Sequence, residues 1–238
     1  KKLFFFFQFS CIYLPAIIVN SDGNVRTQNL QLMTVKEKIV AASASLFTSH
    51  GVKTITMDEV AANLGMSKRT IYENFSNKEE LIAACTDFLH RRQETMEQEI
   101  IASSETIVDE MFALFAKIDE NFASHGRYAE EIKKYYPDVF EEKFCSHYDQ
   151  AAVKFKKRLQ RGIEQGIILP DTNLDFAVHV ILETLYNLLS RQELVTRKNI
   201  SIVNAFKYVL IYFFRGISTN KGIRLMDEKL EKFKTYRS

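Results

Sequence analysis

The chain has 238 residues, 46% of them hydrophobic and 26% charged, enough to bury one large core or two small ones. Its 32 Lys and Arg against 30 Asp and Glu leave a net charge of +2, which excludes a polycation that holds nucleic acid by bulk charge. Cys11, Cys85 and Cys145 stand far apart with no C-x-x-C spacing, which argues against a disulfide framework or a zinc site and fits a reducing cytosol.

Residues 1–32 begin Lys1-Lys2 and continue through LFFFFQFSCIYLPAIIV, an apolar stretch interrupted by Gln8, Ser10 and Pro15. The pattern is that of a signal peptide or a short membrane span. Met33, the first methionine, stands just before the first predicted helix. Residues 1–32 are therefore read as a non-native upstream leader and set aside, with a membrane anchor as the minority reading.

Val35 to His50 is predicted as a helix, with Ile39, Ala42, Leu46 and Phe47 on one face and Gly51 ending it. Thr56 and Glu59 then form a Thr-x-x-Glu capping box, in which each side chain satisfies a backbone N–H at the start of a helix. That helix carries Val60, Ala61 and Leu64 on one face and stops at Gly65, which takes positive φ at little cost. Ser67 caps a second short helix whose buried face is Met66, Ile71 and Phe75. Lys68, Arg69, Thr70, Tyr72, Glu73 and Asn74 are left outward. Ser76 or Asn77 caps a third helix and places Lys78 in its first turn, beside N–H groups that would welcome a phosphate.

Two short helices joined by a Gly-containing turn match a helix-turn-helix, whose second helix enters the major groove. Lys68, Arg69 and Glu73 are assigned to reading bases. Thr56, Ser67, Thr70, Tyr72 and Lys78 are assigned to holding phosphates, and Asn74 completes the exposed face. The run Gly65-Met66-Ser67, Thr70-Ile71-Tyr72, Phe75, Lys78-Glu79 and Leu81 resembles the signature of the TetR family of bacterial transcriptional regulators, and the Val35–His50 helix fits the family's first helix. The resemblance covers about residues 34–82. It implies a dimeric regulator, most often a repressor, bound to double-stranded operator DNA and working in the bacterial cytoplasm.

Beyond Glu79 the pattern stays helical to about residue 219, with no useful β-like alternation, so the chain reads as all-α. The expected organisation is a three-helix DNA-binding domain at 33–80, a larger helical effector-binding and dimerisation domain at 81–219, and a basic tail at 220–238. Within the second domain, a helix is expected around Ile100–Phe122, broken by Gly126. A short helix carrying Tyr128, Ile132 and Tyr135 ends near Pro137, and a long one runs from about Asp138 to Gly166. Leu174–Leu189 and Ile202–Ile217 are apolar on more than one side and so need cover on more than one side. In TetR-like proteins the last two long helices build a four-helix bundle across a two-fold axis, and the resemblance implies a homodimer through about 174–190 and 201–218. The tail has Ile223, Met226, Leu230 and Phe233 at helical spacing and is expected to be a solvated helix.

Nineteen Phe and ten Tyr with no Trp is heavy aromatic usage. Phe112, Phe115, Tyr136, Tyr148 and Tyr186 are candidates to line an apolar pocket for a small effector, with His147, Glu183 and Asn187 as polar anchors; ordinary core packing is the alternative for each. No cofactor or metal is expected, and Cys145-x-His147 points its two side chains apart on a helix. No G-x-S-x-G, H-E-x-x-H, Walker or Rossmann glycine pattern occurs, so an enzyme is not expected. The rival to ligand control is a regulator of this kind that works through a protein partner or as an activator.

Overall fold

A computed structural model of the chain describes residues 33–118, 122–190 and 200–235, and the 1–32 segment lies outside these. Among the described residues every regular element is a helix. In chain order they are α1 (Val35–His50), α2 (Met57–Leu64), α3 (Lys68–Asn74), α4 (Lys78–Ser103), α5 (Ile107–Ile118), α6 (Phe122–Tyr135), α7 (Pro137–Glu164), α8 (Leu174–Ser190), α9 (Ile202–Ile217) and α10 (Asn220–Thr235). The all-α fold with an N-terminal helix-turn-helix followed by a helical domain is the one expected.

The helices fall into two compact units. One takes in the described residues up to Met96 together with Glu120–Ser146. The other takes in Glu97–Asp119 and the residues from His147 onward.

The first unit is built on α1, which packs on both α2 and α6, while α2 packs on α3. Its centre is Ile39, Ala44, Phe47, Val52, Val60, Ile71, Phe75, Leu81, Ile82 and Cys85, all buried. Each large apolar side chain removed from water here contributes about 1.5–3 kcal/mol, so this core is what orients the short helices. Cys85 donates through Sγ to the Val40 carbonyl at 3.5 Å, and burial pushes its thiol well above the usual range. It is a core residue with little thiolate character at neutral pH. On α6, the Tyr128 hydroxyl meets the Thr86 hydroxyl at 2.9 Å in the interior.

The second unit has α8 and α9 packed against each other and α10 packed on α5. Glu110 of α5 is buried and faces Arg158 and Arg161 of α7, and Arg158 also reaches Glu97 at 3.1 Å. Gly166 at φ 67° ends the turn after α7, and a bridge between Ile168 and Ser218 ties that turn to the end of α9.

Three expectations change. The helix expected around Ile100–Phe122 begins at Ile107, because Ile100 belongs to α4; Thr106 and Asp109 cap the new start, Thr106 Oγ1 accepting the Asp109 N–H at 3.2 Å. Gly126 does not break a helix but stands inside α6, a placement that costs about 1 kcal/mol against Ala and is readily overridden by packing. The tail helix is docked rather than solvated. Met226 is fully buried, Lys221 donates to the Gln165 carbonyl at 2.8 Å, and Lys229 pairs with Asp109. Gly222 lets α10 close on the preceding turn, since a Cβ there would stand 2.5 Å from the Ile167 carbonyl oxygen.

Candidate nucleic-acid interface

The start of α2 is fixed by its sequence. Thr56 Oγ1 accepts the Glu59 N–H at 3.2 Å, and the Glu59 carboxylate accepts the Thr56 N–H at 2.6 Å and its hydroxyl at 2.9 Å. These bonds, the backbone one first, hold the Glu59 carboxyl below its usual range. Gly65 ends the helix in the left-handed region at φ 61°, ψ 27°, its N–H donating to the Ala61 and Ala62 carbonyls. Only Met66 separates this stop from the next cap. Ser67 Oγ then accepts the Thr70 N–H at 3.1 Å and opens α3.

Two residues pin α3 to the core, Ile71 and Phe75, both fully buried. The opposite face of α3 is presented largely outward. The Arg69 side chain is 87% exposed and Tyr72 is 51% exposed, with Lys68 and Glu73 exposed beside them. Asn74 is half-buried and donates through Nδ2 to the Thr70 carbonyl at 2.8 Å, so its amide serves the helix end. Ser67 and Thr70 share a hydroxyl contact of 2.9 Å.

Both cations of this face are paired within the unit. Lys68 reaches Asp58 across the two helices at 2.5 Å, and Arg69 reaches Glu73 one turn on at 2.8 Å. Exposed pairs of this kind are worth about 0–1 kcal/mol, so a phosphate or a guanine edge displaces the carboxylate at small cost. Asp58 escaped the sequence reading, although it sits inside the capping box that the reading used. Lys36 escaped as well. It enters from α1 with its ammonium 4.9 Å from the Phe75 ring centroid and 4.0 Å from Glu80.

Lys78 is placed differently from the surface cations. Its ammonium donates to the Val52 carbonyl at 2.5 Å and lies 5.8 Å from the Phe47 ring centroid and 5.9 Å from that of Tyr136. Burial pushes the ammonium below its usual range, partly offset by the charges of Glu59 and Glu131. Its polar head is engaged with the turn after α1. At the start of α4, Asn77 is the cap, its Oδ1 accepting the Glu80 N–H at 2.8 Å.

The comparisons with known proteins agree with this geometry. Residues 39–85 match the family model described as bacterial regulatory proteins, tetR family. Over this segment, which holds the helix-turn-helix, the chain is similar to TetR-family regulators. It is 22% identical over 154 residues to the HTH-type transcriptional repressor KstR2 of Mycolicibacterium smegmatis, covering 63% of this chain and 75% of that protein. A transcriptional regulator from Cytophaga hutchinsonii shares the fold with a TM-score of 0.63 at 19% identity, over 77% of this chain and 98% of that one. A regulator from Saccharomonospora viridis, in complex with choline, does so with a TM-score of 0.63 at 13% identity, over 78% of this chain and 98% of that one. The matching model and these relatives are those of DNA-binding transcriptional regulators, not of enzymes.

The residues suggested for an effector pocket are distributed over both units. Phe112 and Phe115 are buried on α5, edge to face with centroids 5.5 Å apart. Tyr136 belongs to the other unit, beside Lys78. Asn187 is exposed and donates to the Glu183 carbonyl at 2.8 Å, and Glu183 is half-buried. The side chains of His147, Tyr148 and Tyr186 lie outside the described residues. Among the described residues no three His, Cys, Asp or Glu side chains gather to hold a metal, and no helix is long and apolar enough to cross a membrane.

Proposed function

We propose that the protein is a homodimeric repressor that sets one α3 into each of two successive major grooves of a pseudo-palindromic operator, within the bacterial cytoplasm. The observation that carries this reading is the face of α3: Ile71 and Phe75 bury one side completely while Lys68, Arg69, Tyr72 and Glu73 are exposed on the other. Lys68, Arg69 and Glu73 read base edges. Thr56, Ser67, Thr70 and Tyr72 set register on the phosphates, with Asn74 finishing the helix. Lys78 acts on DNA indirectly, by holding the turn that orients α1 and α2.

The repressor sign is supported by the name of the KstR2 relative. Dimerisation is supported by α8 and α9, which keep Phe176, Tyr208 and Tyr212 exposed on a single chain. Two-fold symmetry matches two reading heads to two half-sites about one helical turn apart. A small effector, held in the second unit, releases the operator by favouring a dimer whose reading heads are wrongly spaced. A 100-fold switch needs only about 2.7 kcal/mol of differential binding. That a protein of this fold is found in complex with choline supports small-molecule control over control by a protein partner.

The test is fluorescence anisotropy with DNA from upstream of the gene and its neighbours, across a salt series. Arg69→Ala is expected to weaken specific binding by about 1–3 kcal/mol through one lost base contact. Equal binding of wild type to operator and scrambled DNA contradicts the reading.

A further inference from the structure

The turn between α1 and α2 is held from far along the chain. Gly51 sits at φ 92°, and Val52 behind it is fully buried. Glu131 of α6 accepts the Lys53 N–H through Oε2 at 3.0 Å, across 78 residues of sequence. The same carboxylate occupies the space beside Gly51: a Cβ there would stand 2.7 and 2.9 Å from its two oxygens. One turn along α6 from Glu131, the Tyr135 ring receives the Lys53 ammonium at 5.2 Å, and Tyr136 flanks Lys78, which holds the Val52 carbonyl. Three successive residues, 51 to 53, are thus gripped by side chains from the 131–136 segment or by the cation packed on it.

We infer that Glu131 is a positioning residue for DNA recognition: its carboxylate, seated against Gly51 and Lys53, ties α6 to the turn that sets the direction of α1 relative to α2 and α3. The turn needs such a tie because it has no side chain of its own at Gly51 to pack. Its Lys53 N–H and Val52 C=O are met by Glu131 and Lys78, an anion on one side and a cation on the other. Shared charge strengthens both bonds relative to neutral partners. The α3 helix has only seven residues, with Ile71 buried within it and Phe75 buried at its C-cap, so its orientation depends on what holds α1 and α2. The inference rests on α3 being the DNA-reading helix.

The experiment compares wild type, Glu131→Ala, Glu131→Gln and Glu131→Asp for affinity to the operator that wild type selects from random duplexes, and to non-specific DNA, with melting curves for each. Glu131→Ala is expected to lose about tenfold in operator affinity while non-specific affinity, set by phosphate charge, stays within about twofold. Glu131→Gln, whose amide oxygen still accepts the Lys53 N–H, is expected to recover most of the loss. Glu131→Asp draws the carboxylate back by one methylene and serves where Glu131→Ala does not fold; it is expected to show the same fall in the ratio. A folded Glu131→Ala or Glu131→Asp with the wild-type ratio overturns the inference. So does a parallel fall in both affinities, which marks general destabilisation. Failure of wild type to select any site overturns the DNA-reading conclusion, and this inference with it.

Discussion

Among the charged residues of the reading head, Lys78 and Arg69 have opposite surroundings and should behave oppositely when removed. Arg69 stands in solvent with Glu73 as its partner, whereas Lys78 spends its ammonium on a carbonyl of the fully buried Val52. Lys78→Ala should lower unfolding stability by about 1–3 kcal/mol, because it leaves a buried acceptor without its donor. In salt titrations of non-specific DNA binding by folded protein, its slope should match wild type, whereas Arg69→Ala should reduce the slope by about one. A Lys78→Ala slope as low as that of Arg69→Ala would return Lys78 to the phosphate contacts. The caps at Thr56 and Ser67 and the stop at Gly65 were legible because each is a bond between residues three or four apart. The Lys78 bond spans 26 residues and the Glu131 bond 78, and such partners are set by tertiary packing, which no local pattern records.

At the scale of elements, α10 shows what charge and spacing reveal and what they hide. Its apolar spacing marked it as a helix, and its basic composition suggested solvent. Docking depends instead on two features with no local signal: the close approach at Gly222 and the Asp109 carboxylate waiting on α5. Burial of Asp109 raises its pKa, but the bond from Lys229 and those from Thr106 outweigh this and hold the carboxyl below its usual range. A carboxyl with a folded pKa below its unfolded one adds stability above the unfolded value, near 4, and loses it as pH falls through the folded value. Melting temperature should therefore fall with acidification below about pH 4, and Asp109→Asn should flatten that part of the profile. An Asp109→Asn profile with the wild-type slope would remove the Asp109–Lys229 pair from the forces holding α10. The same distinction explains Gly126: a glycine is a helix breaker only on local preference, and α6 has Tyr128, Ala129 and Ile132 buried to hold it in place.

For the whole molecule, the decisive question is how many copies of α3 meet DNA together. On α9, Tyr208 and Tyr212 stack with centroids 6.0 Å apart and planes 10° apart, and Tyr212 and Phe176 of α8 are each 67% exposed. Those aromatics on an exposed helix face are where a second copy is proposed to pack. Tyr212→Glu should yield a folded monomer by sedimentation and lose at least tenfold in operator affinity, because only one half-site is then held. A Tyr212→Glu protein that remains dimeric would move the interface elsewhere. The multi-sided apolar character of α8 and α9 was readable in the sequence, while the division into units was not: Phe112 and Tyr136 lie on similar stripes yet belong to different units.

The most direct single measurement is selection of bound sites from random duplex DNA by the wild-type protein, followed by sequencing and footprinting. A dimeric reader enriches a pseudo-palindrome whose half-sites lie about 10 base pairs apart, or a multiple of that, with protection on one face of the duplex. Recovery of no enriched sequence, or of one asymmetric half-site bound by a single chain, would contradict it.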